Sequence, residues 1–127
     1  MSIRFLDFTF TEPALFHTAS KPGCGGLYAV MVFDASCSPR PYRVIYFGKA
    51  RDLSERPSTS HENYRSWLRA SAGSPLYVAF CRIDLPLLRG AIERRIIAHY
   101  QPACNETFNP AFTTLSTLRG VRINQLG

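Results

Sequence analysis

Lysine is nearly missing from this chain. Of its fifteen basic residues only Lys21 and Lys49 are lysines, and the other thirteen are arginines. Acidic residues are also scarce, at nine, so the net charge is +6. Arginine forks bind phosphate through two parallel hydrogen bonds, so the balance leans toward a nucleic-acid partner. A GC-rich coding bias produces the same excess, so charge alone does not decide the matter. A long apolar run is missing too. The N-terminal MSIRFLDFTF meets Asp7 early, and we expect neither a secretory signal nor a membrane span. The expected location is cytoplasmic, with no membrane partner. No two of Cys24, Cys37, Cys81 and Cys104 sit at a CxxC spacing, and the three histidines lie far apart. That argues against a structural zinc site and for reduced, part-buried thiols. Internal repeats, low-complexity linkers and added DNA-reading modules are absent from the sequence as well.

What is present reads as one α/β domain of 127 residues. Residues Ile3 to Phe10 alternate loosely, as a first strand or a strap on the core. His17 to Gly26 is a loop by its Ser, Pro and Gly content. LYAVMVF, Leu27 to Phe33, is apolar throughout and reads as a buried strand. After the turn Asp34 to Pro41, Tyr42 to Phe47 makes a second strand and closes an antiparallel hairpin. Leu76 to Ile83 is a third. The expected architecture is a central three-stranded, mainly antiparallel sheet flanked by helices.

A helix is expected from about Ser60 to Ala70, with Thr59 as its cap and Glu62 as the capping-box partner. Tyr64, Trp67 and Leu68 mark its apolar stripe. Pro57 separates it from the short turn Asp52 to Arg56. Asp84 is the expected cap of the next helix, with Pro86 in its first turn. Leu85, Leu88, Ile92, Ile96 and Tyr100 mark its buried face, and Pro102 ends it. Asn109-Pro110 opens a shorter helix that uses Leu115 and Leu118 and closes at Gly120.

The chemistry concentrates where the second strand ends. With the hairpin turn centred near Cys37, Tyr28 lies directly across from Tyr46, and two phenols share one face of the sheet. Gly48 lets the chain turn off the strand. Lys49, Arg51, Arg56 and His61 follow. Singly, each reads as a solvated surface group; together, at the end of a buried strand, they form a cation-rich wall suited to an anion. Glu93 sits in the second helix beside Ile92. It reads either as a surface carboxylate paired with Arg89 or Arg94, or as an oxygen ligand for Mg²⁺, which takes one or two carboxylates plus phosphate. Asn105 follows the Pro102 break, where it suits a local backbone bond.

Gly26-Leu27-Tyr28 and Tyr46-Phe47-Gly48 resemble the two signature strands of the GIY-YIG nuclease superfamily, with Leu and Phe replacing the two isoleucines. GKARDLSER resembles the segment after the second signature, including Leu53 and Arg56. ERRIIAHYQPACN, Glu93 to Asn105, resembles the metal-ligand helix with its downstream Pro and Asn. SHENYRSW is similar to a subgroup of small bacterial members. The resemblance runs from about Gly26 to Asn105. One departure is the hairpin: seventeen residues separate Tyr28 from Tyr46, more than is usual in the family.

The resemblance implies a compact GIY-YIG-like domain and a metal-dependent endonuclease acting on DNA. It implies Mg²⁺ or Mn²⁺ on Glu93, Tyr28 or Tyr46 as general base, and Arg56 stabilising the transition state. Lys49, Arg56 and His61 would lower the tyrosine pKa, Asn105 would support the site, and Lys49, Arg51 and Arg56 would meet the nucleic acid. Products would carry a 5′-phosphate and a 3′-hydroxyl. With no appended module, sequence preference would be low unless a homodimer or a partner protein supplies it. The alternatives are a catalytically weak nucleic-acid-binding module that keeps the fold, and a structural or partner-binding domain with an incidental basic surface.

Overall fold

The computed structural model describes residues 1–112. Their elements, in chain order, are β1 (Ile3–Phe5), β2 (Phe8–Phe10), β3 (Ala14–Leu15), β4 (Gly26–Phe33), β5 (Tyr42–Ala50), α1 (Tyr64–Ser71), β6 (Leu76–Arg82) and α2 (Pro86–Tyr100). β1 and β2 pair as a separate hairpin, and the main sheet runs β3-β6-β4-β5, antiparallel throughout. The expected three-stranded sheet is therefore four-stranded. The extra strand, β3, is only Ala14 and Leu15 paired to Val78 and Tyr77, too short to show alternation in sequence. Residues Ile3 to Phe10 are both strand and strap. Ile3, Phe5 and Phe10 are buried in the core.

β4 is covered on both faces, which is why its sequence is apolar without alternation. Leu27, Ala29 and Met31 pack with Phe47, Ile92, Ile96, Ile97 and the β1–β2 hairpin. Tyr28, Val30 and Val32 pack on the opposite face with Ile45, Leu53, Trp67 and Val78. So α2 and α1 lie on opposite sides of the sheet, with β5 at its edge.

The hairpin register differs from expectation. Tyr28 faces Gly48, and Tyr46 faces Val30, with a register shift between Val30 and Met31 that leaves Ile45 as the extra residue. The turn centres half a residue beyond Cys37, and the bulge adds the rest. The two phenols are diagonal rather than opposite, but stay on one face because the offset is two residues. Gly48 does not end the strand, since β5 continues to Ala50. Its lack of a side chain serves packing instead. A Cβ there would overlap Cζ and Oη of Tyr28, so the phenol lies across the bare backbone.

Both helix starts moved for a shared reason. α1 begins at Tyr64, with Asn63 rather than Thr59 at its cap position and no side-chain capping bond. Asn63 spends its amide on Tyr46, and Glu62 spends its carboxylate on Arg56. α2 begins at Pro86 after Leu85. Asp84 caps nothing, because it accepts Arg82 Nε at 2.9 Å. Leu85 and Leu88, expected inside, are exposed. Arg89 takes the inward position, donating from Nε to Ile83 O at 3.1 Å and from Nη2 to Asp84 O at 3.2 Å. Asn109 does open a helical turn at Pro110, its Oδ1 accepting the Ala111 N–H at 3.0 Å. Leu115, Leu118, Gly120 and the expected edge strand of the tail lie outside the described residues. Among the described residues, no helix is long and apolar enough to cross a membrane.

Gly48→Ala forces the Tyr28 ring off its seat. Urea unfolding should show a loss of about 1–3 kcal/mol, the usual cost of overpacking a core. A neutral change would mean that the ring has room to move.

Candidate active site

Four residues form one chain of hydrogen bonds on the α1 face, with one link through the Asn63 backbone. Tyr28 Oη lies 2.8 Å from His61 Nε2. His61 Nδ1 accepts the backbone N–H of Asn63 at 3.0 Å. Asn63 Nδ2 donates to Tyr46 Oη at 3.2 Å. The bond at Nδ1 sets the tautomer: a neutral ring that accepts there carries its proton on Nε2. His61 therefore donates to Tyr28. The rings of Tyr28 and Tyr46 stack at 6.1 Å with an interplanar angle of 28°. His61 rests on Trp67 at 4.6 Å, and Trp67 Nε1 has no hydrogen-bond partner among the described residues.

The electrostatics correct one expectation. His61 is not one of the cations that act on the tyrosines. Burial pushes its pKa down to about 4, against an upward pull from Glu62, so the ring is neutral at pH 7. Burial also pushes Tyr28 well up, the neighbouring Tyr46 adds to this, and Arg56 opposes it. Tyr46 is raised by burial and by the charges of Glu93 and Glu62, while the Asn63 bond and Arg56 pull it back. Of the three expected cations only Arg56 works on the phenols from close by. Its Nη2 also pairs with Glu62 at 3.0 Å on the surface. Lys49 turns to the other face of β5, toward Gly90 on α2, and acts on Glu93.

Glu93 is buried, 9% exposed, within α2. Burial raises its pKa, and Lys49 and Arg94 counter this. The surface pairing with Arg89 or Arg94 is not formed: among the described residues Glu93 joins no ion pair. It lines a cavity of about 350 Å³ together with Tyr46, Asn63, Asn105 and Glu106. Tyr28 and His61 stand behind Tyr46, outside that lining. Arg56 lies on the Tyr28 side, and Lys49 and Arg51 are exposed beyond the lining.

Asn105 supports this wall through backbone alone. Its Oδ1 accepts Phe47 N–H at 2.8 Å and its Nδ2 donates to Phe47 O at 2.9 Å. Cys104 N–H reaches Ile45 O at 2.9 Å, and Asn109 Nδ2 holds Asn105 O at 2.9 Å. The turn after α2 thus satisfies the outer edge of β5, which would otherwise carry unpaired groups.

Among the described residues no three His, Cys, Asp or Glu side chains cluster as a metal cage. Zinc or calcium would need such a set. Mg²⁺ or Mn²⁺ does not, because it keeps several waters and takes one or two carboxylates plus phosphate oxygens. A buried carboxylate with no ion-pair partner, facing a polar cavity, fits that role. Asn63 is the site residue that sequence reasoning missed. Its only signal was a polar side chain beside His61 at a helix start, where an ordinary cap is expected. In comparisons with known proteins, no family model, no curated protein and no solved structure matches the chain.

Two outcomes follow. Asn105→Ala leaves both Phe47 groups without partners, each costing about 1–3 kcal/mol, so denaturant unfolding should show a loss of about 2–6 kcal/mol. Asn105→Asp, which accepts but cannot donate, should lie between. A loss below about 0.5 kcal/mol, the range of an ordinary surface change, would remove Asn105 from this role. For His61, the folded pKa near 4 lies below the ordinary 6.5. The unfolded chain binds the proton more readily between those values, so His61 lowers stability progressively as pH falls from 6.5 toward 4 and not above 6.5. Unfolding of wild type and His61→Gln from pH 7 to 4.5 should show the weaker pH dependence in the variant; parallel curves would contradict a buried neutral ring.

Proposed function

We propose that this chain is a GIY-YIG-like, metal-dependent endonuclease that hydrolyses DNA phosphodiester bonds. The observation that carries the reading is the shared cavity: Tyr46 and Glu93, from two different elements, line one wall-to-wall space of about 350 Å³. Glu93, with Mg²⁺ or Mn²⁺ bound, would hold the charge that polarises a non-bridging phosphate oxygen and eases departure of the leaving oxygen.

The chain's own groups handle the proton. Tyr46 fronts the cavity and accepts from Asn63; Tyr28 stacks behind it and accepts from His61. Donors aimed at a phenol oxygen favour the phenolate, which a base for the attacking water requires. Arg56 leaves its surface pair with Glu62 cheaply, since such pairs are worth about 0–1 kcal/mol. It then meets the charge that builds on phosphate. His61 serves as a neutral donor to Tyr28 and not as an acid. Asn105 holds β5, and with it Tyr46, in place. The phosphate path outside the cavity would run over Lys49, Arg51 and Arg56. A homodimer or a partner protein would supply sequence preference. A pure binding module has no use for a carboxylate buried beside bound phosphate, which favours the nuclease over that alternative.

The test is cleavage of labelled single-stranded, duplex and branched DNA with Mg²⁺, with Mn²⁺ and with chelator. Cutting should need metal and disappear in Glu93→Gln. Loss of the base in Tyr28→Phe or Tyr46→Phe should cost about 10²–10⁴-fold, the usual worth of general-base catalysis, and the larger loss identifies the base. With both phenols raised above their ordinary value, the rate should climb with pH across 7 to 9, up to about tenfold per pH unit below the base's pKa. Salt-sensitive binding without cutting, equal in wild type and Glu93→Gln, would contradict the nuclease and leave the binding module.

A further inference from the structure

β5 and α2 contribute to a second concave space besides the Glu93 cavity. At the Tyr42 end of β5 a second cavity of about 380 Å³ opens, floored by Ile3, Phe5, Tyr42 and Tyr100 and edged by Arg4, Arg40 and Arg43. Tyr100 lies seven residues beyond Glu93 on the same helix, about 10 Å at ~1.5 Å per residue. β5 supplies both cavities, Tyr42 to one and Tyr46 to the other.

The lining has two chemistries side by side. The floor is apolar and aromatic. The Arg40 guanidinium stands 5.7 Å over the Tyr42 ring, so a cation and a ring face meet at the mouth. Two of the three arginines have carboxylate partners outside the lining: Arg40 reaches Glu12 at 3.1 Å and Arg43 reaches Asp34 at 3.3 Å. Arg43 and Asp34 form a surface pair of the kind worth about 0–1 kcal/mol, which a phosphate can displace. Arg4 joins no ion pair among the described residues. A ring floor with adjoining guanidiniums is how proteins hold unpaired bases and their phosphates. A duplex keeps its bases stacked inside and cannot fill an apolar pocket with one.

We propose that this second cavity binds one unpaired nucleotide of single-stranded DNA, its base against Tyr42 and Tyr100 and its phosphate on Arg4 and Arg43. This inference rests on the nucleic-acid half of the proposed function, and it names the substrate class: DNA with a single-stranded segment leading to the Glu93 cavity.

The experiment is fluorescence anisotropy with the full chain in chelator, so that nothing is cut. The probes are a labelled oligothymidine, the same oligomer with one abasic position, and a hairpin duplex closed by a non-nucleotide linker. The variant is the doubly substituted R4E/R43E, both positions exposed and outside the cavity that holds Glu93. Oligothymidine affinity should fall tenfold or more, and its logarithmic salt slope should drop by about 0.7, the release expected for one phosphate contact on a single strand. Hairpin affinity should change less than twofold. One abasic position should weaken wild-type binding more than it weakens the variant. Equal losses on oligothymidine and hairpin would reduce the arginines to general surface charge and overturn the subsite, as would no loss at all. The nuclease reading is scored separately, by metal-dependent cutting. Oligothymidine selectivity without any cutting keeps this site and rejects the nuclease, and cutting without selectivity does the reverse.

Discussion

The contact on which the rest of this structure depends is a phenol lying against a bare backbone. Tyr28 reaches its position only because Gly48, directly across the sheet, has no side chain. With the ring seated there, Tyr28 Oη meets His61, and the stacked Tyr46 is carried to the lip of the cavity. A larger residue at position 48 would break the sheet pairing or the phenol pair. Gly48 is thus tied to Tyr28 by packing, and not by a need to turn the chain.

The second constraint is the free edge of β5. An edge strand exposes half of its backbone groups, and a strand that must present a side chain at a fixed angle cannot drift. Asn105 copies a neighbouring strand by both accepting from and donating to Phe47. It thereby holds the residue next to Tyr46. Across the cavity Glu93 is fixed by α2, one residue from Ile92 in the core. Two rigid elements from different parts of the chain thus face one another, and the polar space between them is where a carboxylate is buried without an ion pair. Such a group is costly to maintain unless a cation or a proton joins it.

Several parts of this arrangement were readable from the residues. β4 stood out because a strand covered on both faces is apolar without interruption, and α2 because Pro86, Ile92, Ile96 and Pro102 mark its start, face and end. Tyr28, Tyr46, Glu93 and Asn105 stood out through the resemblance to the GIY-YIG strands and helix, and Tyr46, Glu93 and Asn105 line one cavity. Other features had no local signal. The bulge at Ile45 involves neither Gly nor Pro, so the register of the two tyrosines was off by two residues. Asn63 and Glu62 look like helix-capping residues until their distant partners, Tyr46 and Arg56, are known. An arginine pointing inward, as Arg89 does, violates the apolar period, and that period therefore assigned Leu85 and Leu88 to the core. His61 reads as a cation in sequence, whereas burial against Trp67 and Tyr28 keeps it neutral well below its ordinary range. Asn63 and His61 were missed because their side chains are committed far away in the chain, to Tyr46 and Tyr28; the Glu62 and Arg89 contacts are local but break the helical period.

The central claim is that Glu93 and Tyr46 share a site for a divalent cation. The most direct measurement is an NMR titration of ¹⁵N-labelled protein with substoichiometric Mn²⁺, whose unpaired electrons broaden nearby amide signals. The account predicts selective loss of signals around Glu93, Tyr46 and Asn105 in wild type, and retention of those signals in Glu93→Gln. Broadening centred elsewhere, or broadening that persists unchanged in the variant, would contradict it.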